Sequence, residues 1–121
     1  MIKILVVDDE PLICEEFRDI LQDEGHEVDA VMNGLDAIQK VQEKEYDLVF
    51  LDVLMPKMEG REVFEQLKKL SKVPVAIMSG YIPPNKEREI LASGAAAVFK
   101  KPLDLDRVRS LVNSIESQKQ K

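Results

Sequence analysis

Five polar residues stand out because each falls where a short apolar run stops. Asp8 and Asp9 close the first such run, Asp52 a later one, Ser79 another, and Lys101 follows the last. Carboxylates gathered in one place repel and raise one another's pKa unless a cation intervenes. Magnesium is a natural neutraliser: it takes one or two carboxylates, keeps several waters and completes its shell with phosphate oxygens. Lys101 is a point charge able to hold a phosphate oxygen, and Ser79 offers a hydroxyl donor. A carboxylate, a divalent cation, a hydroxyl and an ammonium together suit phosphoryl transfer onto a carboxylate, where positioning and charge neutralisation do most of the work. Taken singly, each residue has a plainer reading. Asp8 and Asp9 suit a solvated turn or helix cap, Asp52 a loop, Lys101 a surface and Ser79 a turn.

The elements that must position them alternate regularly. Ile2 to Val7 is a β-branched run that reads as a buried strand. Pro11 to Glu24 places Ile13, Phe17, Ile20 and Leu21 on one helical face, with Pro11 in the first turn and Gly25 as the stop. Val28 to Met32 is a less apolar strand, nearer an edge. Leu35, Ile38 and Val41 mark a second helix. Tyr46 to Leu51 is the third strand, and its unbroken Leu48-Val49-Phe50-Leu51 run fits a strand covered on both faces. A helix over Gly60 to Leu70, a strand over Val73 to Met78, a polar helix over Asn85 to Ser93, and a strand over Ala96 to Phe99 follow. Asp104 caps a last helix with Leu105, Val108, Leu111, Val112 and Ile115 inward. Five strands alternating with five helices imply an α/β fold: a parallel sheet with helices on both faces. In such a sheet the five polar residues share one edge, the carboxyl ends of the strands. With strand order 2-1-3-4-5, the reversal point brings Asp8 and Asp9 beside Asp52.

Composition narrows the function classes. The chain has 121 residues, enough for one domain, with 17 Lys and Arg against 23 Asp and Glu for a net charge of −6. That acidity disfavours direct nucleic-acid binding. One cysteine, Cys14, excludes an internal disulfide and a multi-cysteine zinc site, and reads as a half-buried structural thiol. No apolar run approaches the roughly 18 residues of a membrane span, and the start lacks a signal peptide, so a cytoplasmic location is expected. His26, the only histidine, reads as a surface residue away from the site edge.

Val6-Val7-Asp8-Asp9-Glu10-Pro11, Leu51-Asp52-Val53-Leu54-Met55-Pro56 with Glu59-Gly60, Met78-Ser79-Gly80 and Lys100-Lys101-Pro102 resemble the receiver domain of bacterial two-component response regulators, as in the chemotaxis response regulator. The similarity covers residues 1–116, leaving 117–121 as a polar, fraying tail or the start of a linker. It implies the flavodoxin-like, doubly wound sheet of order 2-1-3-4-5 in three α/β/α layers. Asp52 would be the phospho-acceptor. Asp8, Asp9, Asp52 and the Leu54 carbonyl would hold Mg2+, for which Mn2+ could substitute. Lys101 would contact the phosphoryl group, with a cis bond to Pro102, and Ser79 would turn inward to it. The donor would be a sensor histidine kinase or histidine phosphotransfer protein. The output would be a switched protein contact without direct nucleic-acid or membrane binding, from a monomer or weak phosphorylation-dependent dimer. The resemblance implies a signalling switch that catalyses its own phosphorylation and dephosphorylation, not a metabolic enzyme.

One departure concerns the aromatic residue that the family commonly has three places before the lysine. Val98 stands there, and strand alternation turns Phe99 to the other face. Tyr81, two residues after Ser79, is a candidate to take part in signalling instead. Glu10 suits either tuning of the metal or capping of the first helix. Other classes fit less well. A phosphohydrolase with Asp52 as nucleophile needs a second acid where Leu54 stands. A flavin module needs a Gly- and hydroxyl-rich cradle after the first strand, where this chain is acidic. An adaptor that is never phosphorylated has no use for the full set of acids, hydroxyl and lysine.

Overall fold

A computed structural model describes residues 1–53 and 60–119. The expected carbonyl of Leu54 lies outside these residues. The strands are β1 (Lys3–Val7), β2 (Glu27–Val31), β3 (Leu48–Asp52), β4 (Val75–Ser79) and β5 (Ala97–Lys100). The helices are α1 (Pro11–Asp23), α2 (Gly34–Glu43), α3 (Gly60–Leu70), α4 (Lys86–Ala92) and α5 (Leu105–Lys119). Every strand pair is parallel and the order is β2-β1-β3-β4-β5, the doubly wound arrangement expected.

The sheet divides two apolar layers. On one face α1 and α5 set Phe17, Leu21, Val108 and Val112 against Ile4, Val6, Phe50, Met78 and Phe99. Phe50 lies at the centre of this layer, with its ring centroid 4.7 Å from that of Phe17 and 6.0 Å from that of Phe99. On the other face α2 and α3 set Ala37, Val63, Phe64 and Leu67 against Leu5, Val7, Val49, Leu51 and Ile77. Successive β3 residues thus enter opposite layers, which is why its sequence is apolar at consecutive positions. Burying a side chain such as Phe50 contributes about 1.5 to 3 kcal/mol.

Several local expectations are corrected. β4 begins at Val75, because Pro74 has no N–H to give and its carbonyl instead accepts from Val49 N at 3.0 Å. Leu35 is exposed: α2 buries Gly34 and Ala37, and each residue turns the helix about 100°, so Leu35 points off that face. His26 is buried, and its Nδ1 accepts a hydrogen bond from the Ile2 backbone N–H at 3.1 Å. Residues 117–119 continue α5 where a frayed tail was expected, and Lys119 Nζ lies 3.1 Å from Asp47 Oδ2. Cys14 is buried more fully than expected, and its thiol donates to the Asp8 carbonyl at 3.6 Å. Burial raises the Cys14 pKa, with the Asp8 charge adding to it.

Candidate functional site

The site residues share the carboxyl edge because each terminates or directly follows a strand. Asp8 follows β1, and its backbone N–H bonds the Val31 carbonyl at the end of β2 at 3.1 Å. Asp52 is the last residue of β3 and pairs in register with Met78. Ser79 ends β4, and its carbonyl accepts the Lys101 backbone N–H at 2.8 Å, which ties the segment after β5 to β4. The Lys101–Pro102 peptide bond is cis. The topology alone therefore places one end of β1, β3, β4 and β5 around a common point.

Lys101 is the centre of that point. Its Nζ lies 2.8 Å from Asp8 Oδ2, 2.9 Å from Glu10 Oε1 and 3.0 Å from Asp52 Oδ2. Asp8 and Asp52 are buried, whereas the Glu10 side chain is 59% exposed. Asp8 Oδ1 accepts the Glu10 backbone N–H at 2.9 Å. Asp8 Oδ2 is buried and pairs with the ammonium. Burial raises the Asp8 pKa and the Asp52 charge adds to this, while Lys101 and the Glu10 N–H act in the opposite sense. Burial would lower the Lys101 pKa, but its bonds to Asp8, Glu10 and Asp52 outweigh that and raise it.

One carboxylate oxygen from each of Asp8, Glu10 and Asp52 lies within 4.8 Å of the others, a set able to hold a cation. Glu10 joins this set, and Asp9, half-buried beside Asp8, does not. The capping role weighed for Glu10 falls to its backbone, whose carbonyl accepts from Ile13 N and Cys14 N while its side chain turns to Lys101. Nothing in the chain's local pattern signals that turn, because Lys101 lies 91 residues away in sequence.

Ser79 is buried with its hydroxyl engaged in the following loop. Its Oγ donates to the Tyr81 carbonyl at 2.8 Å and accepts from Tyr81 N at 3.2 Å. The Tyr81 side chain is exposed. Val98 is buried at the position where the family commonly has an aromatic residue, and Phe99 packs on Phe50 in the opposite layer, as strand alternation requires. Among the described residues no helix is long and apolar enough to cross a membrane.

Residues 4–113 match the family model of the response regulator receiver domain. The chain belongs to this family. The receiver domain is 38% identical over 109 residues to the transcriptional regulatory protein ZraR of Klebsiella oxytoca, covering 89% of this chain and 25% of that protein. It thus spans about a quarter of the length of that relative. It is 34% identical over 111 residues to sporulation initiation phosphotransferase F of Bacillus subtilis, covering 91% of this chain and 90% of that one. Among solved structures it is similar to the response regulator TrrA of Thermotoga maritima in complex with Mg(2+)-BeF, at TM-score 0.83 and 34% identity over 95% of this chain and 99% of that one. It also resembles the receiver domain of the Francisella response regulator 1452, at TM-score 0.90 and 25% identity over 98% of this chain and 99% of that one. Receiver domains act as signalling switches, and that is the class of this chain.

Proposed function

We propose that this receiver domain accepts a phosphoryl group on Asp52 from a phosphohistidine of a sensor kinase or phosphotransfer protein, and thereby switches its protein contacts. The observation that carries the reading is the buried Asp52 carboxylate, 3.0 Å from Lys101 and grouped with Asp8 at the carboxyl edge. In the transfer, an Asp52 carboxylate oxygen forms a bond to phosphorus as the phosphorus–nitrogen bond of the donor breaks, and the imidazole leaves with that electron pair. Burial strips water from Asp52, and Lys101 offsets the charge that gathers on the phosphoryl oxygens.

Asp8, Asp9 and Asp52, with the Leu54 carbonyl, are the ligands we assign to magnesium. The fit rests on the donor chemistry: hard carboxylate oxygens suit a hard cation, and Asp8, Glu10 and Asp52 bring one such oxygen each within 4.8 Å of the others. Manganese, which prefers the same oxygen ligands, substitutes. When bound, the ion supplies positive charge to the phosphoryl oxygens and lessens the repulsion between carboxylates. Hydrolysis of the aspartyl phosphate returns the domain to its starting state, so uptake and loss both use this chain's own site.

The switch follows from the partners of Ser79. A phosphoryl group on Asp52 adds about −1.5 to −2 charges and strong acceptor oxygens. The Ser79 hydroxyl then leaves the Tyr81 carbonyl to donate to the phosphoryl group, which frees the backbone at Tyr81 and biases the adjoining surface. Intact-mass spectrometry after incubation with a small acyl phosphate tests the reading. A single phosphoryl adduct that requires both magnesium and Asp52, and is lost in Asp52→Asn, is the expected result. Absence of an adduct with the acyl phosphate and with a panel of phosphorylated donor proteins would instead favour the unphosphorylated adaptor.

A further inference from the structure

Lys101 has three N–H donors and three carboxylates around it, but those carboxylates are not equivalent. Asp8 and Asp52 are buried at 0% and 3% exposure, and both belong to the set that the phosphorylation reading gives to magnesium. Glu10 differs: its carboxylate is 59% exposed and approaches Nζ at 2.9 Å from the solvent side. An ammonium hydrogen bond and a bond to a divalent cation compete for the same oxygens of Asp8 and Asp52. A lysine whose side chain is only 13% exposed then loses both of its buried partners at once. A buried charge without a partner is costly, so this arrangement needs a remaining acceptor.

We propose that Glu10 is a positioning residue for Lys101, which keeps the ammonium at the site while a divalent cation occupies Asp8 and Asp52 and then yields it to the phosphoryl group. The inference rests on the phosphorylation reading and assigns a role within the same site. Two features suit Glu10 to it. Its backbone is fixed at the start of α1 through the bonds from Ile13 N and Cys14 N, so the carboxylate stays within reach. Its exposure makes the pair weak, so a doubly charged phosphoryl group displaces it readily.

The test is nuclear magnetic resonance of the Lys101 ammonium group in 15N-labelled protein, assigned by its loss in Lys101→Met. Fast proton exchange with water removes an ammonium signal unless hydrogen bonds hold the group. Without metal, the signal is expected in both wild type and Glu10→Gln, because Asp8 and Asp52 hold Nζ. With saturating magnesium it is expected to persist in wild type and to vanish in Glu10→Gln, whose backbone amide spectrum reports an intact fold. Persistence in loaded Glu10→Gln, or loss in loaded wild type, overturns the assignment. Calorimetry on the same samples separates the two readings. Wild type that binds no magnesium and takes no phosphoryl adduct defeats the phosphorylation reading itself. Wild type that does both while Glu10→Gln keeps its signal defeats only the role of Glu10.

Discussion

Lys101→Met is the most informative perturbation of stability, because it keeps most of the aliphatic stem and removes only the charge. In metal-free protein the change removes the ammonium that the buried Asp8 and Asp52 share. Removing one partner of a buried ion pair costs about 3 to 5 kcal/mol. The exposed contact with Glu10 adds less than about 1 kcal/mol. The loss has a ceiling, since one carboxylate can take up a proton, and Asp8 is the natural recipient because burial already raises its pKa. Protonating an ordinary carboxylate at pH 7 costs about 4 kcal/mol, and about 2.7 kcal/mol less at pH 5. The sign follows from linkage. An acid whose folded pKa is raised destabilises the fold as pH rises from its unfolded value through its folded value. The variant therefore falls about 3 kcal/mol below wild type at pH 7, and the gap narrows to about 1 kcal/mol at pH 5. In a domain of this size 3 kcal/mol corresponds to a Tm lower by about 12 °C. Thermal unfolding in chelator at both pH values is the assay. A loss below about 1 kcal/mol at pH 7, or one independent of pH, would refute the view that the two buried carboxylates depend on Lys101.

Three further outcomes are expected. Gly60→Ala should lower the urea midpoint by the equivalent of about 3 kcal/mol despite the better helix propensity of alanine, because a Cβ there would lie 2.2 Å from Val53 Cα; an unchanged midpoint would show that this approach relaxes freely. Tyr46→Phe removes the hydroxyl that donates to Asp29 at 2.6 Å and should cost about 1 kcal/mol at pH 7. Burial pushes the Asp29 pKa up, but bonds from Tyr46 and Lys44 outweigh it and lower the value, so this stabilisation is present above the ordinary carboxylate range and lost as pH falls through the lowered pKa. The Tyr46→Phe deficit should accordingly shrink in unfolding curves recorded at increasingly acid pH. Asp104→Ala should cost about 1 kcal/mol by chemical denaturation, because Asp104 Oδ1 accepts the N–H groups of Asp106 at 3.1 Å and Arg107 at 3.3 Å.

The fold was largely legible because its strands and helices announce themselves by different periods. β3 is apolar at consecutive positions, α3 places Val63, Phe64 and Leu67 inward, and Asp104 caps α5 as its type suggests. Asp8, Asp52 and Lys101 were legible for a related reason: each follows a readable strand, so their convergence needed only the strand order. What escaped depends on contacts distant in sequence. The neighbours of His26 include the Ile2 backbone, which no local pattern around residue 26 announces. The end of α5 is held near Asp47, so its polar composition misleads about its helicity. Glu10 has one nearby signal, its place beside the acid pair, but the direction of its carboxylate is set by Lys101.

β3 has a consequence beyond supporting Asp52. All five of its residues are buried, and it lies between β1 and β4. Amides in such a strand exchange with solvent through opening of the whole domain, whereas a loop opens locally and sooner. On the phosphorylation reading, the acceptor is therefore mounted on a fully buried central strand. Asp52 would then not travel to meet a donor, and any donor would bring its phosphorus to a fixed point. On that reading the signal leaves by exchange of partners at Ser79 and Lys101, which makes the domain a stationary anvil with two moving contacts.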